Sequence, residues 1–274
     1  MKEKTMMKQL FILAAILFAT FSLAAQNDTV QAPAGAAQSN IPQQTGNPFQ
    51  QANEAYSKGD FQAAAGLYEE LLKASGASAT VYYNLGNSYY KLNRIAPSIL
   101  NYERALLLEP GNADIRFNLE IAKLKAVDKI EPVGNFFLTE WFSDVQNLLG
   151  TDAWSNLSIV CFILLIACLF LFFFSRRILL KKLGFYAGIA LLVGVVFGNI
   201  FAYNQKKKLS LRKEAIIFAP TTTIKSSPDN SGTDLFILHE GTKVKLKNTL
   251  SGWNEIETAD GNVGWIKNSE LEVI

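Results

Sequence analysis

One histidine, His239, and two cysteines, Cys161 and Cys168, are the groups best suited to acid–base, nucleophilic or metal chemistry. Their placement supports none of it. His239 falls in a turn with no Cys or His at metal-ligand spacing. The cysteines sit seven apart inside an apolar run, on one helix face, where they cannot bridge each other locally. Carboxylate neighbours such as Glu69 and Glu70 read as a wet helix face. No G-x-S-x-G, H-E-x-x-H or phosphate-binding glycine loop occurs. The sequence therefore predicts no catalytic residue, no metal site and no cofactor, and the protein is read as a non-enzyme. A net charge of +2 gives no reason to expect nucleic acid as a partner.

Binding chemistry is better represented. Asn53, Asn84 and Asn87 offer amides that both donate and accept, which suits a peptide bond. Tyr83, Tyr90 and Lys91 lie at helical spacing from the latter two and would complete one wall. Trp253 and Trp265, each after a glycine, could stack on a sugar or a peptide, or serve the core or rim of a small fold, with an indole N–H that wants a partner.

Two units of one length must position the amides. Residues 45–78 align with 79–112, each 34 long. Phe61 falls opposite Ile95, Tyr68 opposite Tyr102, and Gly59-Asp60 opposite Asn93-Arg94 at the mid-unit turn. A 34-residue period with a central turn is the tetratricopeptide signature. Tyr82, Leu85, Gly86, Tyr89, Tyr102, Ala105 and Pro110 occupy its large and small positions. Pro48 and Ala52 depart from it in the first unit. Phe117-Asn118-Leu119 echoes Tyr83-Asn84-Leu85 and opens a charged capping helix, so the array is assigned to 45–130. In peptide-binding members of this repeat family, residues placed like Asn53 and Asn84 hydrogen-bond the ligand backbone. The lysines that grip a terminal carboxylate there are replaced by Phe49 and Asp114.

The remaining chain is apolar, then strand-forming. Lys2, Lys4 and Lys8 precede FILAAILFATFSLA, and small residues follow, the layout of a signal peptide over 1–25 or of an uncleaved anchor. Residues 26–44 are Gln/Ala/Pro-rich and read as a flexible linker. Within 131–156, Leu138, Trp141, Phe142, Val145, Leu148 and Leu149 form an apolar helical stripe, suited to the membrane interface or to packing on the repeats. Residues 157–174 and 183–203 carry no charge and correspond to about 27 and 32 Å of helix, close to the hydrocarbon thickness. The loop between them, 175–182, holds Arg176, Arg177, Lys181 and Lys182, which predicts a cytoplasmic loop with both flanking domains exported. A basic linker, 204–213, stands against that rule. Gly184/Gly188 and Gly194/Gly198 have the spacing of close helix packing. From 214 to 274 the period becomes two, with strands expected at 214–219, 221–226, 234–238, 242–248, 252–258 and 263–267. The run from Gly241 through Gly252-Trp253 to Gly264-Trp265 resembles a bacterial SH3-like barrel. The expected fold class is thus multidomain: tetratricopeptide repeats, a transmembrane hairpin and an all-β SH3-like barrel.

That order resembles the BatE family, tetratricopeptide membrane proteins of the Bacteroides aerotolerance operon. The residues carrying the resemblance are Tyr82 to Asn87, the Trp141 to Trp154 segment, the Arg176 to Lys182 loop and Gly264-Trp265. It implies a bacterial inner-membrane protein with both domains in the periplasm, in a complex with von Willebrand A-type proteins and linked to oxidative or envelope stress. In that setting the repeats are read as a membrane-anchored, non-enzymatic scaffold that holds a protein partner. The alternative is a cell-wall sensor whose barrel binds peptidoglycan.

Overall fold

The computed structural model describes residues 47–130, 134, 137–211 and 213–274. The expected signal peptide, 1–25, and the expected linker, 26–44, lie outside the described residues, as does Arg212. Five helices come first: α1 Pro48–Ser57, α2 Phe61–Ser75, α3 Ala79–Lys91, α4 Ile95–Leu108 and α5 Ala113–Leu124. Side chains that cap backbone N–H groups start three of them. Asn47 accepts from Phe49, Asp60 from Ala63, and Asn112 from Asp114 and Ile115. The turns inside the two units are closed by residues 34 apart in the left-handed region, Gly59 (φ 82°) and Asn93 (φ 59°). Both residue types tolerate that conformation. Pro97 lies in the first turn of α4, where a missing N–H breaks no helical bond.

The α1–α2 and α3–α4 pairs pack antiparallel, and α5 adds the first half of a third unit. Ala52, Ala64, Tyr68, Leu85 and Tyr89 fill one core, and Ile99, Tyr102, Ala105, Ile115, Leu119 and Ala122 the next. Gly86 allows α3 to approach α4. A Cβ there would lie 2.7 Å from the ring of Tyr102, which is fully buried and cannot swing away.

Past α5 the chain enters α6 (Phe137–Gln146), α7 (Thr151–Phe174) and α8 (Ile178–Leu211). Phe137, Leu138 and Trp141 face outward, while Phe142 packs edge-on against Phe201 at 4.9 Å. Trp154 falls in α7, not in the stripe helix. Its Nε1 donates to Gln146 O at 2.8 Å. Helices α7 and α8 are long and apolar enough to cross a membrane, and only 6% and 17% of their apolar windows are buried. They lie against each other through small residues. A Cβ at Gly184 would meet Cys168 O at 2.8 Å, and one at Gly198 would meet Ser158 Cβ at 3.1 Å. Asn199 Nδ2 donates to Ser158 Oγ across the pair at 2.7 Å.

The C-terminal region is a seven-stranded antiparallel sheet: β1 Glu214–Ile217, β2 Thr221–Lys225, β3 Asp234–His239, β4 Lys243–Leu250, β5 Trp253–Glu257, β6 Val263–Lys267 and β7 Leu271–Val273. The six expected strands are present, and β7 was not foreseen. The expected barrel closure is not found. The order is β3-β2-β6-β5-β4-β1-β7, an open sheet with β3 and β7 at its edges. Ala215, Ile217, Ile224, Leu238, Val244, Ile256 and Ile266 form its own core. Ile216 and Ile274 turn the other way, into the core of α4 and α5. Strand β1 is therefore apolar on both faces. It joins the sheet to the repeats inside one compact unit, 46–274.

Two glycines within the helical array should respond oppositely to alanine. Gly86→Ala must displace the Tyr102 ring, and a destabilisation of about 1–3 kcal/mol is expected. Gly66 lies inside α2 with nothing within 4 Å of an added Cβ, so Gly66→Ala should stabilise by about 0.5–1 kcal/mol. Urea unfolding of the detergent-solubilised chain, followed by tyrosine fluorescence, measures both.

Candidate functional site

The predicted amides lie on α1 and α3, the first helices of successive units, and the structure shows that they are already working. Tyr68 donates its hydroxyl to Asn53 Oδ1 at 2.5 Å, and Tyr102 donates to Asn87 Oδ1 at 2.6 Å. Asn84 Nδ2 donates to the same Asn53 oxygen at 3.3 Å, and Asn118 Nδ2 to the same Asn87 oxygen at 3.1 Å. Each residue of the second set lies 34 positions after its counterpart in the first. One device thus recurs: a buried tyrosine holds an amide of its own unit, and that amide holds the next unit. Asn53 and Asn84 are partners 31 apart, not equivalent positions, and the equivalent of Asn53 is Asn87. Asn118 was not singled out as a site residue. It also donates to Tyr83 Oη at 2.7 Å.

These bonds leave the face accessible. Tyr83, Asn84, Asn87 and Tyr90 are half-buried, and Asn53 and Lys91 are exposed. Lys125 from beyond α5 sits 4.1 Å from the Tyr90 ring centroid, a cation–π contact. The face is a row of oriented amides and aromatic edges with cations at its rim.

A second recurring slot joins α2 to α3 and α4 to α5. Tyr89 donates to Glu69. Burial and that carboxylate push the Tyr89 hydroxyl up to about 12. One unit later, 34 positions on, Glu103 faces Lys123 at 3.3 Å. Glu103 is 6% exposed and also takes Lys243 of β4 at 2.9 Å. Burial pushes its carboxyl up, but Lys243 and Lys123 outweigh that and hold it below the usual carboxylate range. Lys243 is completed by Glu214 at 2.8 Å. The slot that only braces the first repeat attaches the sheet to the second.

Three further contacts seal this junction. Arg104 donates to Val273 O at 2.7 Å and pairs with Glu272 at 3.0 Å. Asp128, just past α5, accepts from the His239 backbone N–H at 2.7 Å and from the Thr242 hydroxyl at 2.7 Å. Its other oxygen lies 2.8 Å from His239 Nδ1. Burial raises the Asp128 carboxyl, and the bonds from Thr242 and His239 bring it below its ordinary value. The one histidine is thus a junction residue, and it ends β3 instead of lying in the expected turn.

Trp253 and Trp265 share the face of the sheet opposite its core. Trp253 pairs with Lys267, and Glu255 with Trp265, while the intervening Asn254, Ile256 and Ile266 are buried. Lys267 Nζ lies 5.5 Å from the Trp253 ring. Both indoles are half-buried. Among the described residues, no group of three or more His, Cys, Asp or Glu could hold a metal ion.

A model of the tetratricopeptide repeat matches residues 79–112, the second unit. A search of curated proteins gives no match. Among solved structures, the crystal structure of MamA is similar at 18% identity, covering 58% of this chain and 96% of that one, with a TM-score of 0.27. At that score the likeness carries no argument. The matched repeat marks a protein-interaction module of a kind that is generally non-enzymatic.

The junction carboxylates set a pH response. Both have lowered values when folded, so their contribution is complete above the unfolded carboxylate range, about 4, and is lost as pH falls from there through the lower folded values. Acid should therefore loosen the sheet from the repeats before the repeat core unfolds, read by hydrogen exchange at Ile216 and Ile274. Glu103→Ala strands Lys243 and Lys123 and should cost about 3–5 kcal/mol at neutral pH, measured by urea unfolding.

Proposed function

We propose that the protein is a non-enzymatic inner-membrane scaffold that holds a protein partner on the amide face of its repeats. The observation that carries this reading is where the sheet docks. It is fixed to α4 and to the segment after α5, while the face formed by Asn53, Tyr83, Asn84, Asn87, Tyr90 and Lys91 stays accessible. An extended peptide would find donors, acceptors and aromatic edges in a row there. The absence of clamp lysines, with Phe49 and Asp114 in their places, favours an internal segment over a free C-terminus.

The membrane setting is supported by the exposure of α7 and α8 and by the shared core. Repeats and sheet flank a two-helix hairpin and pack on each other, which requires both to be on one side of any bilayer the hairpin crosses. With a basic loop at the far end, that side is the periplasm by the charge rule. The BatE resemblance adds membrane-anchored von Willebrand A-type proteins as partners and an aerotolerance or envelope-stress setting. A cell-wall sensor is the second reading. It draws support from the half-buried Trp253 and Trp265 beside Lys267, on the face of an SH3-like sheet that points away from its core.

Cross-linking in native membranes tests the scaffold. Asn53 is a poor target, because its loss strips Tyr68 of an acceptor. Asn84→Ala with Lys91→Ala removes groove groups at small structural cost. A partner yield reduced about tenfold with stability changed by less than about 1 kcal/mol is expected. Full retention of the partner by the folded variant removes the groove assignment. For the sensor, the full-length chain in detergent should sediment with purified peptidoglycan, and Trp265→Ala should abolish this. No sedimentation of the folded chain sinks that reading.

A further inference from the structure

A cavity of about 650 Å³ lies where α4, α5, α6, the end of α8 and the sheet meet. Its cationic side chains are Arg116, Lys207, Lys208, Lys213, Lys243 and Lys245. Its acidic ones are Glu103 and Glu214, and both are committed to Lys243, at 2.9 and 2.8 Å. Six cationic side chains against two carboxylates leave the lining positive. Arg116 donates to Pro110 O. Lys245 is 3.8 Å from Glu257, a carboxylate held more closely by Lys247 at 2.6 Å. Lys207, Lys208 and Lys213 have no ion pair among the described residues, and all three are exposed.

The depth of this cavity is informative. Helix α8 leaves its uncharged stretch at Tyr203, and Lys207 and Lys208 sit one turn further on. Phe142, Leu106, Leu107 and Leu211 supply an apolar wall. Helix α6, the other side of the opening, turns Phe137, Leu138 and Trp141 outward. Cations above an apolar wall, at the end of a membrane-length helix, match the boundary between headgroups and acyl chains. They also lie at the opposite end of the hairpin from Arg176 to Lys182. Lysines there work against the orientation that the loop dictates, so they need a purpose of their own.

We propose that this cavity binds the phosphate of an anionic phospholipid headgroup through Lys207, Lys208 and Lys213, with the acyl chains against Leu211 and α6. The inference rests on the membrane reading of α7 and α8. Basic pockets at the ends of transmembrane helices suit such headgroups because a low-dielectric wall strengthens the attraction to phosphate.

The test uses the full-length chain in a neutral maltoside detergent, titrated with short-chain phosphatidylglycerol or phosphatidylcholine of equal chain length and read by native mass spectrometry. One phosphatidylglycerol should bind at least about tenfold more tightly than phosphatidylcholine. Lys207→Gln with Lys208→Gln should remove that preference, and Lys213→Gln with Lys245→Gln should reduce it by a similar factor. Lys181→Gln with Lys182→Gln, in the far loop, should leave it unchanged. Equal binding of the two lipids, no effect of either cavity variant, or an equal loss in the loop variant overturns the proposal. Inorganic phosphate binding as tightly as phosphatidylglycerol reassigns the cavity to a soluble anion and overturns the lipid. Alkaline carbonate washing of native membranes separates the two levels. Release of the chain defeats the membrane reading itself. Retention without headgroup preference defeats only the lipid site.

Discussion

Strand β1 is buried on both faces, and most of the architecture is arranged around that constraint. Ala215 and Ile217 belong to the sheet core, and Ile216 lies with Ile95, Ile99 and Ile115 in the core of the repeats. A strand apolar on both sides cannot be left at a surface. The sheet must therefore cover α4, and the polar groups around it must be matched in pairs. Glu103 with Lys243, Arg104 with Glu272 and Val273 O, and Asp128 with His239 and Thr242 are those matches. A buried ion pair of the first kind does little for net stability against an apolar alternative, but removing one member is severe. The junction is best seen as fixing orientation, with apolar burial supplying the free energy.

The repeats show how one structural solution is adapted at successive positions. The tyrosine–amide–amide link occurs twice without change. The carboxylate slot occurs twice with a change of partner, from the Tyr89 hydroxyl at Glu69 to the Lys123 ammonium at Glu103. The replacement exchanges a neutral donor for a cationic one, and the buried Glu103 carboxylate takes a second lysine from the sheet. The same backbone geometry thus serves stacking in one unit and inter-domain attachment in the next.

Much of the fold was legible because its signals are local and periodic. The 34-residue alignment located both turns, and Gly59 and Asn93 do share the left-handed conformation. The uncharged runs and the period-two strands were equally plain. The links that failed are those whose partners lie far apart in sequence. Asp128 stands in a charged tail, 111 residues from His239, and nothing nearby distinguishes it from a solvated carboxylate. Asn53 meets Tyr68, 15 positions on, and Asn84, 31 positions on, and helical spacing alone shows neither bond. The docking strand did leave a trace: Ala215-Ile216-Ile217-Phe218 is continuous where a one-sided strand alternates. The open sheet order and the short β7 depend on pairings of segments that sequence patterning does not rank.

The shared core also bears on how the chain is made. Ile95 and Ile99 are synthesised more than a hundred residues before Ile216, with both apolar helices between them. During synthesis the repeat array must therefore wait with an apolar patch uncovered. A hairpin that crosses a bilayer delivers β1 to the waiting patch only when both of its helices have inserted. A chain whose second helix fails to insert leaves β1 on the wrong side and the patch bare, open to proteases and chaperones. Where the two helices cross a bilayer, docking of one strand thus makes insertion of both a condition for a closed core.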